Sequence, residues 1–398
     1  MRSSAKASQS EHAPLLMTRR SFSAAAVAVS LSAACALAGC GTKESEPLES
    51  PAGDRGEPSD LPAQSDPPTA AACFALEPGM VCVSEYAGNS IAVLDGLSGE
   101  LLCRIEVGLN PMCLAQSKSH VAMTVSGNGE VCLFPRDDAY SYRGVACGTQ
   151  PLGICYSEAA SRYFVTDYFG SSVNMLDETV GSVVGSCRLN EMGFQNRREP
   201  PDCCKRDAGS SGGGRMPVVV EPSPDGSVLY CANYGTYDIA VIDSSAMEDT
   251  GAFDGVVGPR AMCVSRDGSK AFLVGVGGES TERETDLRVV DLATGKLAAR
   301  VSIGAGIAGV CVSEDETVAY CASRDEAIVA LVDLSTFEVV GSTILEEGIE
   351  AVGLSDDGSL LYVCNNQTGR VCALDASTLD QVWVSDPLMA PKDLLVLR

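Results

Sequence analysis

A short phrase recurs along this chain and restricts its fold more than any other feature. The fullest copy, Ser223-Pro-Asp-Gly-Ser-Val-Leu-Tyr-Cys-Ala-Asn233, is followed by Ile239-Ala-Val-Ile-Asp243. It returns at Ser265-Arg-Asp-Gly-Ser269 with Leu287-Arg-Val-Val-Asp291, and at Ser355-Asp-Asp-Gly-Ser-Leu-Leu-Tyr-Val-Cys-Asn365 with Val371-Cys-Ala-Leu-Asp375. Asp-Gly between alternating apolar residues marks a tight turn joining two strands. Each copy therefore predicts strand, turn, strand, loop, and a third strand ending in Asp.

Weaker copies fill the intervals. First strands are expected at Met112–Ala115, Leu152–Tyr156, Pro217–Glu221, Arg260–Val264, Ala308–Val312, Glu350–Leu354 and Lys392–Leu397, starting 40–48 residues apart except for one spacing of 65. Four short strands per unit at a period of about 40–45 residues predict an all-β, seven-bladed β-propeller. The chain enters the repeat on a second strand and leaves it on a first strand. The C-terminal strand should therefore pair beside Val81–Ser84 and close the first blade, which removes an exposed edge. The propeller is expected over 76–398, with an insertion at 189–216 accounting for the long interval.

Tyr230-Cys-Ala-Asn233, Ser265-Arg-Asp-Gly268 and Leu361-Tyr-Val-Cys-Asn365 resemble the YVTN-type repeat of seven-bladed propellers, over about 81–398. The resemblance implies the fold. It leaves function open, because such propellers serve as enzymes, ligand binders and surface proteins.

The first 40 residues read as an address. Thr18-Arg19-Arg20-Ser21-Phe22 resembles a twin-arginine export motif, and Leu37-Ala-Gly-Cys40 a bacterial lipobox, which implies cleavage before Cys40 and lipidation of that residue. The apolar run between them, Ala24 to Gly39, is short for a bilayer span of about 20 residues. The signal is complete from Met17, so translation could start there or at Met1. Residues 41–75, rich in Pro, Ser and acidic residues, cannot bury enough surface to fold and read as a tether. The expected protein is extracytoplasmic, held to the bacterial cell membrane by its lipid, and monomeric.

Beyond the signal the chain carries 24 basic and 52 acidic residues, a surface that repels phosphate backbones and argues against nucleic acid as a partner. Only two histidines occur, His12 and His120, so a His-rich metal or haem centre is excluded and no catalytic residue stands out. Nothing in the sequence requires a cofactor or a metal, though carboxylates leave calcium open.

In the expected connectivity, the loops entering first strands and those following second strands share one face around the channel. Glu85, Asp167, Asn233 and Asn365 end second strands on that rim, with Tyr86, Tyr168 and Tyr234 beside them, and Arg260 and Lys392 open first strands there. Together they are candidates for binding a small polar or anionic molecule. The insertion adds Arg197, Arg198, Lys205, Arg206 and Arg215, which would make a basic lid.

Of 18 cysteines, several repeat at one strand position, which suits a small apolar filler. Three pairs are candidates for disulfides: Cys311 with Cys321, Cys364 with Cys372, and the adjacent Cys203 and Cys204. Quinoprotein dehydrogenases use such a vicinal pair and carry a Trp in each blade. The pattern Ala373-x-Asp375-x-x-Thr378-x4-Trp383 is similar in one blade only. These features favour a binding or scaffold protein for a small ligand or an envelope partner. The rival reading is a propeller enzyme, either lactonase- or lyase-like or quinone-dependent. A lactonase would need Glu85, Asp167, Arg260 and Lys392 to converge.

Overall fold

A computed structural model describes residues 73–189, 214–278 and 283–398. Arg19, Arg20, Cys40, Cys203 and Cys204, the expected tether up to residue 72, and four of the five insertion cations lie outside the described residues.

Seven four-stranded antiparallel sheets make up the described chain. The innermost strands are β4 (Pro111–Gln116), β8 (Pro151–Ser157), β12 (Pro217–Pro222), β16 (Pro259–Val264), β20 (Ile307–Val312), β24 (Ile349–Leu354) and β28 (Pro391–Val396). Each touches the innermost strand of the next sheet, and β28 touches β4, so the ring closes. Blade 1 is shared between the two ends of the propeller. Its order is β28, β1 (Met80–Glu85), β2 (Ser90–Asp95) and β3 (Leu101–Glu106), with Val81 opposite Val396 and Val83 opposite Leu394. This is the closure the repeat order predicts.

Seven clusters of buried apolar side chains sit one between each pair of neighbouring blades. Strands rich in Val, Ile, Leu and Ala suit this, because both faces of every blade are covered. The Ser-x-Asp-Gly phrase works as turn chemistry on the face away from the predicted site. Ser223 Oγ donates to Asp225 Oδ1 at 2.6 Å and accepts from Val228 N at 3.0 Å, while Gly226 takes φ +71°.

One outer strand, β15 (Glu248–Asp254), was not legible, because Asp-Thr-Gly-Ala lacks apolar alternation. Trp383 has a structural role at the seam between blades 7 and 1. Its Nε1 donates to Gly96 O at 3.1 Å and its ring covers Gly99, where an added Cβ would lie 2.5 Å from the indole.

The cysteine pairings are corrected. Cys321 pairs across the ladder with Val310, and Cys311 with Tyr320; Cys364 pairs with Val371, and Cys372 with Val363. In both cases the two cysteines are offset by one residue and face opposite inter-blade layers, since side chains alternate along a strand. All four are free thiols.

Candidate functional site

Every innermost strand carries a bulge at the same place. In β12, Pro217 pairs with Asn233 and Val219 with Ala232, so Val218 is skipped. The same shift skips Arg260, Ala308 and Glu350, and in blade 1 it skips Lys392. In β4 and β8 it falls over Met112 and Leu152 and the residue after each. A bulge re-aims the extra residue's side chain away from the ladder. Here it takes one side chain per blade out of the ladder at the start of the innermost strand.

Four of these positions are apolar. The other three, Arg260, Glu350 and Lys392, meet. Lys392 Nζ lies 2.7 Å from Glu350 Oε2, Arg260 Nη2 bonds the same oxygen, and Arg324 Nε approaches Oε1 at 3.6 Å. Arg260 belongs to blade 5 and Glu350 to blade 7, so their contact passes the lumen side of β20, where small Ala308 leaves room.

Glu350 is almost fully buried. Burial alone would raise its pKa, but Arg260, Lys392 and Arg324 outweigh this and hold it down at about 2. Lys392 moves the other way. Burial, reinforced by Arg260, lowers its pKa to about 8 against the pull of Glu350. Asp393, the next residue, accepts a bond from Leu114 N at 2.9 Å, and burial raises its carboxyl to about 6. Arg260, Lys392 and Arg324 thus converge on Glu350, with Asp393 beside Lys392, inside a strongly acidic chain.

Above these lies a second set of equivalent positions, the residues following the second strands. Each donates its amide to the loop entering the innermost strand: Tyr86 to Ala390 O, Tyr168 to Gln150 O, Tyr234 to Met216 O and Arg324 to Gly306 O, at 2.8–3.0 Å. Tyr168 and Tyr234, on adjacent blades, have ring centroids 6.4 Å apart. Phe169 and Tyr237 extend the group at 5.1 and 6.0 Å.

The remaining predicted residues brace loops. Glu85 is fully buried and takes both Arg104 nitrogens at 2.6 and 2.8 Å, Ser90 Oγ at 2.6 Å and Met389 N at 2.9 Å. Asp167 accepts from Thr149 N and Gln150 N, at 2.9 and 2.8 Å. Asn233 Nδ2 donates to Asp238 Oδ1 at 2.9 Å. Asn365 Oδ1 accepts from Gln367 N and Thr368 N, both at 3.0 Å. Arg215, expected in a basic lid, is instead buried against Asp238 and Asp249, at 2.7 and 2.6 Å.

Arg260 and Lys392 are thus brought together, but on Glu350 rather than on Glu85 or Asp167. Sequence reasoning missed Glu350 and Arg324. The signal that could have found them was the shared repeat position: Glu350 opens the first strand as Arg260 and Lys392 do, and Arg324 follows the second strand as Tyr168 does.

Deeper in the channel, Glu221 of β12 lies among the thiols of Cys155 and Cys263. It touches the lumen, yet enclosure by protein raises its pKa from 4.5 to about 8. The folded state therefore binds a proton that the unfolded state releases above about 4.5, so stability falls as pH rises from 4.5 to 8. Glu221→Gln is expected to flatten that window and to be more stable than wild type by about 1–2 kcal/mol at pH 8.5, allowing for lumen water. Urea unfolding at pH 5 and pH 8.5 checks it; an equal gap at both would sink the assignment.

Among the described residues no three His, Cys, Asp or Glu side chains are placed to hold a metal ion, and no helix is long and apolar enough to cross a membrane. A groove of about 380 Å³ lies on the opposite face, between blades 3 and 4, away from this cluster.

No family model and no curated protein matches the chain. Several solved structures do. Hydrazine synthase of Kuenenia stuttgartiensis is 16% identical with a TM-score of 0.61, over 80% of this chain and 100% of that one. A functionally unknown protein from Desulfotomaculum acetoxidans is 14% identical with a TM-score of 0.64, over 80% and 99%. The periplasmic gluconolactonase of Pseudomonas aeruginosa is 16% identical with a TM-score of 0.61, over 80% and 99%. These likenesses establish the fold. At such identities they carry no activity across.

Proposed function

We propose that this chain is a YVTN-type propeller, exported by the twin-arginine route and anchored by a lipid on Cys40, that binds a small anionic ligand at its channel mouth. The carrying observation is the buried Glu350 ringed by Arg260, Lys392 and Arg324. Guanidinium and ammonium groups held in place beforehand, with their side-chain entropy already lost, receive an acid at low cost.

Calorimetric titration of the protein with acetate and with inorganic phosphate tests this. At least one should bind, Arg260→Ala should weaken it about tenfold or more, and affinity should fall as pH rises through about 8, where Lys392 loses its charge. No binding by either anion would refute the reading. Export and anchoring are tested by cell fractionation with a Cys40→Ala variant, expected to leave the membrane fraction.

One observation favours an enzyme as a second reading. Lys392 titrates near neutral pH beside a carboxylate and two guanidiniums, the range of a general acid or base. A lactone- or lyase-type substrate would use it, and substrate turnover abolished by Lys392→Met would decide for catalysis. The quinone-dependent reading has less support, since Trp383 is engaged with Gly96 and Gly99.

A further inference from the structure

The mouth is chemically divided. Charged groups come from blades 5, 6, 7 and 1, as Arg260, Arg324, Glu350 and Lys392. Blades 2, 3 and 4 offer Met112, Leu152 and Val218 from their bulges, each partly exposed, and Tyr168 and Tyr234 above them. The loops of this same face also expose Leu109, Met389 and Phe169, at 57%, 52% and 45%. Single exposed apolar residues are ordinary on a surface. Here they lie on the loops of the rim, where Tyr168 and Tyr234 form a ring pair on adjacent blades at the repeat position that Arg324 holds in blade 6.

We propose that the ligand is an amphipathic ring acid: a carboxylate received by Arg260 and Lys392, carrying an apolar ring that packs against Tyr168, Tyr234 and the apolar bulge residues. This rests on the anion-binding reading above and deepens it. A compact, fully hydrated anion would use only the charged half. A ring of about six carbons attached to the acid would remove further apolar surface from water on both sides, and tyrosine faces favour offset or edge-on contact with it. The acidic exterior acts against polyanions, whereas a monoanion whose remainder is apolar meets little repulsion.

The test compares acetate with benzoate, phenylacetate, 3-phenylpropionate and cyclohexanecarboxylate on the full chain by calorimetry. At least one ring acid should bind tenfold or more tighter than acetate. Tyr168→Ala and Tyr234→Ala should each cut that excess severalfold, weakening the ring acid more than acetate, and Tyr234→Phe should retain it. The phenylalanine variant separates lost ring contact from lost folding. If acetate binds as tightly as every ring acid, or if gluconate outcompetes them all, the ring subsite is refuted and the anion reading stands. If neither acetate nor phosphate binds, both fall together.

Discussion

Glu350→Ala is expected to destabilise the propeller by about 3 kcal/mol, the low end of the range for removing one partner from a buried ion cluster. Three cations would lose their common carboxylate while keeping partial contact with the lumen: the side chains of Arg260, Lys392 and Arg324 are 24%, 16% and 25% exposed. The sign of the pH dependence follows from the depressed pKa. The contribution of Glu350 is present above about 4.5 and is lost as pH falls toward 2, so wild type and variant should converge in acid. Denaturant unfolding followed by Trp383 fluorescence measures this. The variant should regain stability with added acetate or phosphate, because a small anion can take the place of the carboxylate. A variant as stable as wild type at pH 7, with no response to anions, would show that the cluster holds little energy.

Arg215→Met should cost more, about 4 kcal/mol, since it leaves two buried carboxylates, Asp238 and Asp249, without their shared guanidinium. Their side chains are 2% and 6% exposed. Asp238 keeps bonds from Asn233 and Thr236, so its loss is partial. Arg215→Lys, which keeps a cation between the two carboxylates, should recover part of the deficit in denaturant unfolding at pH 7. Equal deficits for Arg215→Lys and Arg215→Met would show that positive charge is not what the two carboxylates require. Arg215 thus belongs to the framework that ties the end of the insertion to blade 4.

The fold was legible because its signals are periodic and local. Asp-Gly turns recur at fixed offsets, apolar residues alternate, and the phase of the repeat at its two ends predicts the pairing of Val81 with Val396. Outer strand β15 escaped, since its short polar residues match no strand template. The site was legible only in part. The place of Arg260 and Lys392 at strand starts marks them as candidates, whereas Glu350, at the same place, blends into the strand pattern Glu350–Leu354. Whether a residue at that place faces its neighbour blade or the lumen depends on the bulge, and the proline that precedes the skipped residue in five innermost strands is replaced by Ile307 and Ile349 before Ala308 and Glu350. Glu85, Asp167, Asn233 and Asn365 are polar residues ending second strands at the rim. What the sequence did not reveal is that backbone amides and neighbouring side chains already occupy their polar atoms. The pairings of Cys311 with Cys321 and of Cys364 with Cys372 failed on register, which parity counting resolves only when the turn between strands is known to the residue.

The seven bulges also bear on how such a mouth can change. Because each skipped residue stands outside the hydrogen-bond ladder, its side chain is decoupled from the pairing that holds the blade together. The mouth behaves as a set of seven sockets on an invariant frame, in which a methionine, an arginine or a glutamate sits in the same backbone geometry. Exchanging the occupants one at a time would alter the charge and shape that a ligand meets while leaving strand register intact. One chain architecture can therefore be retuned to a different ligand through few substitutions, all within one turn of the channel opening.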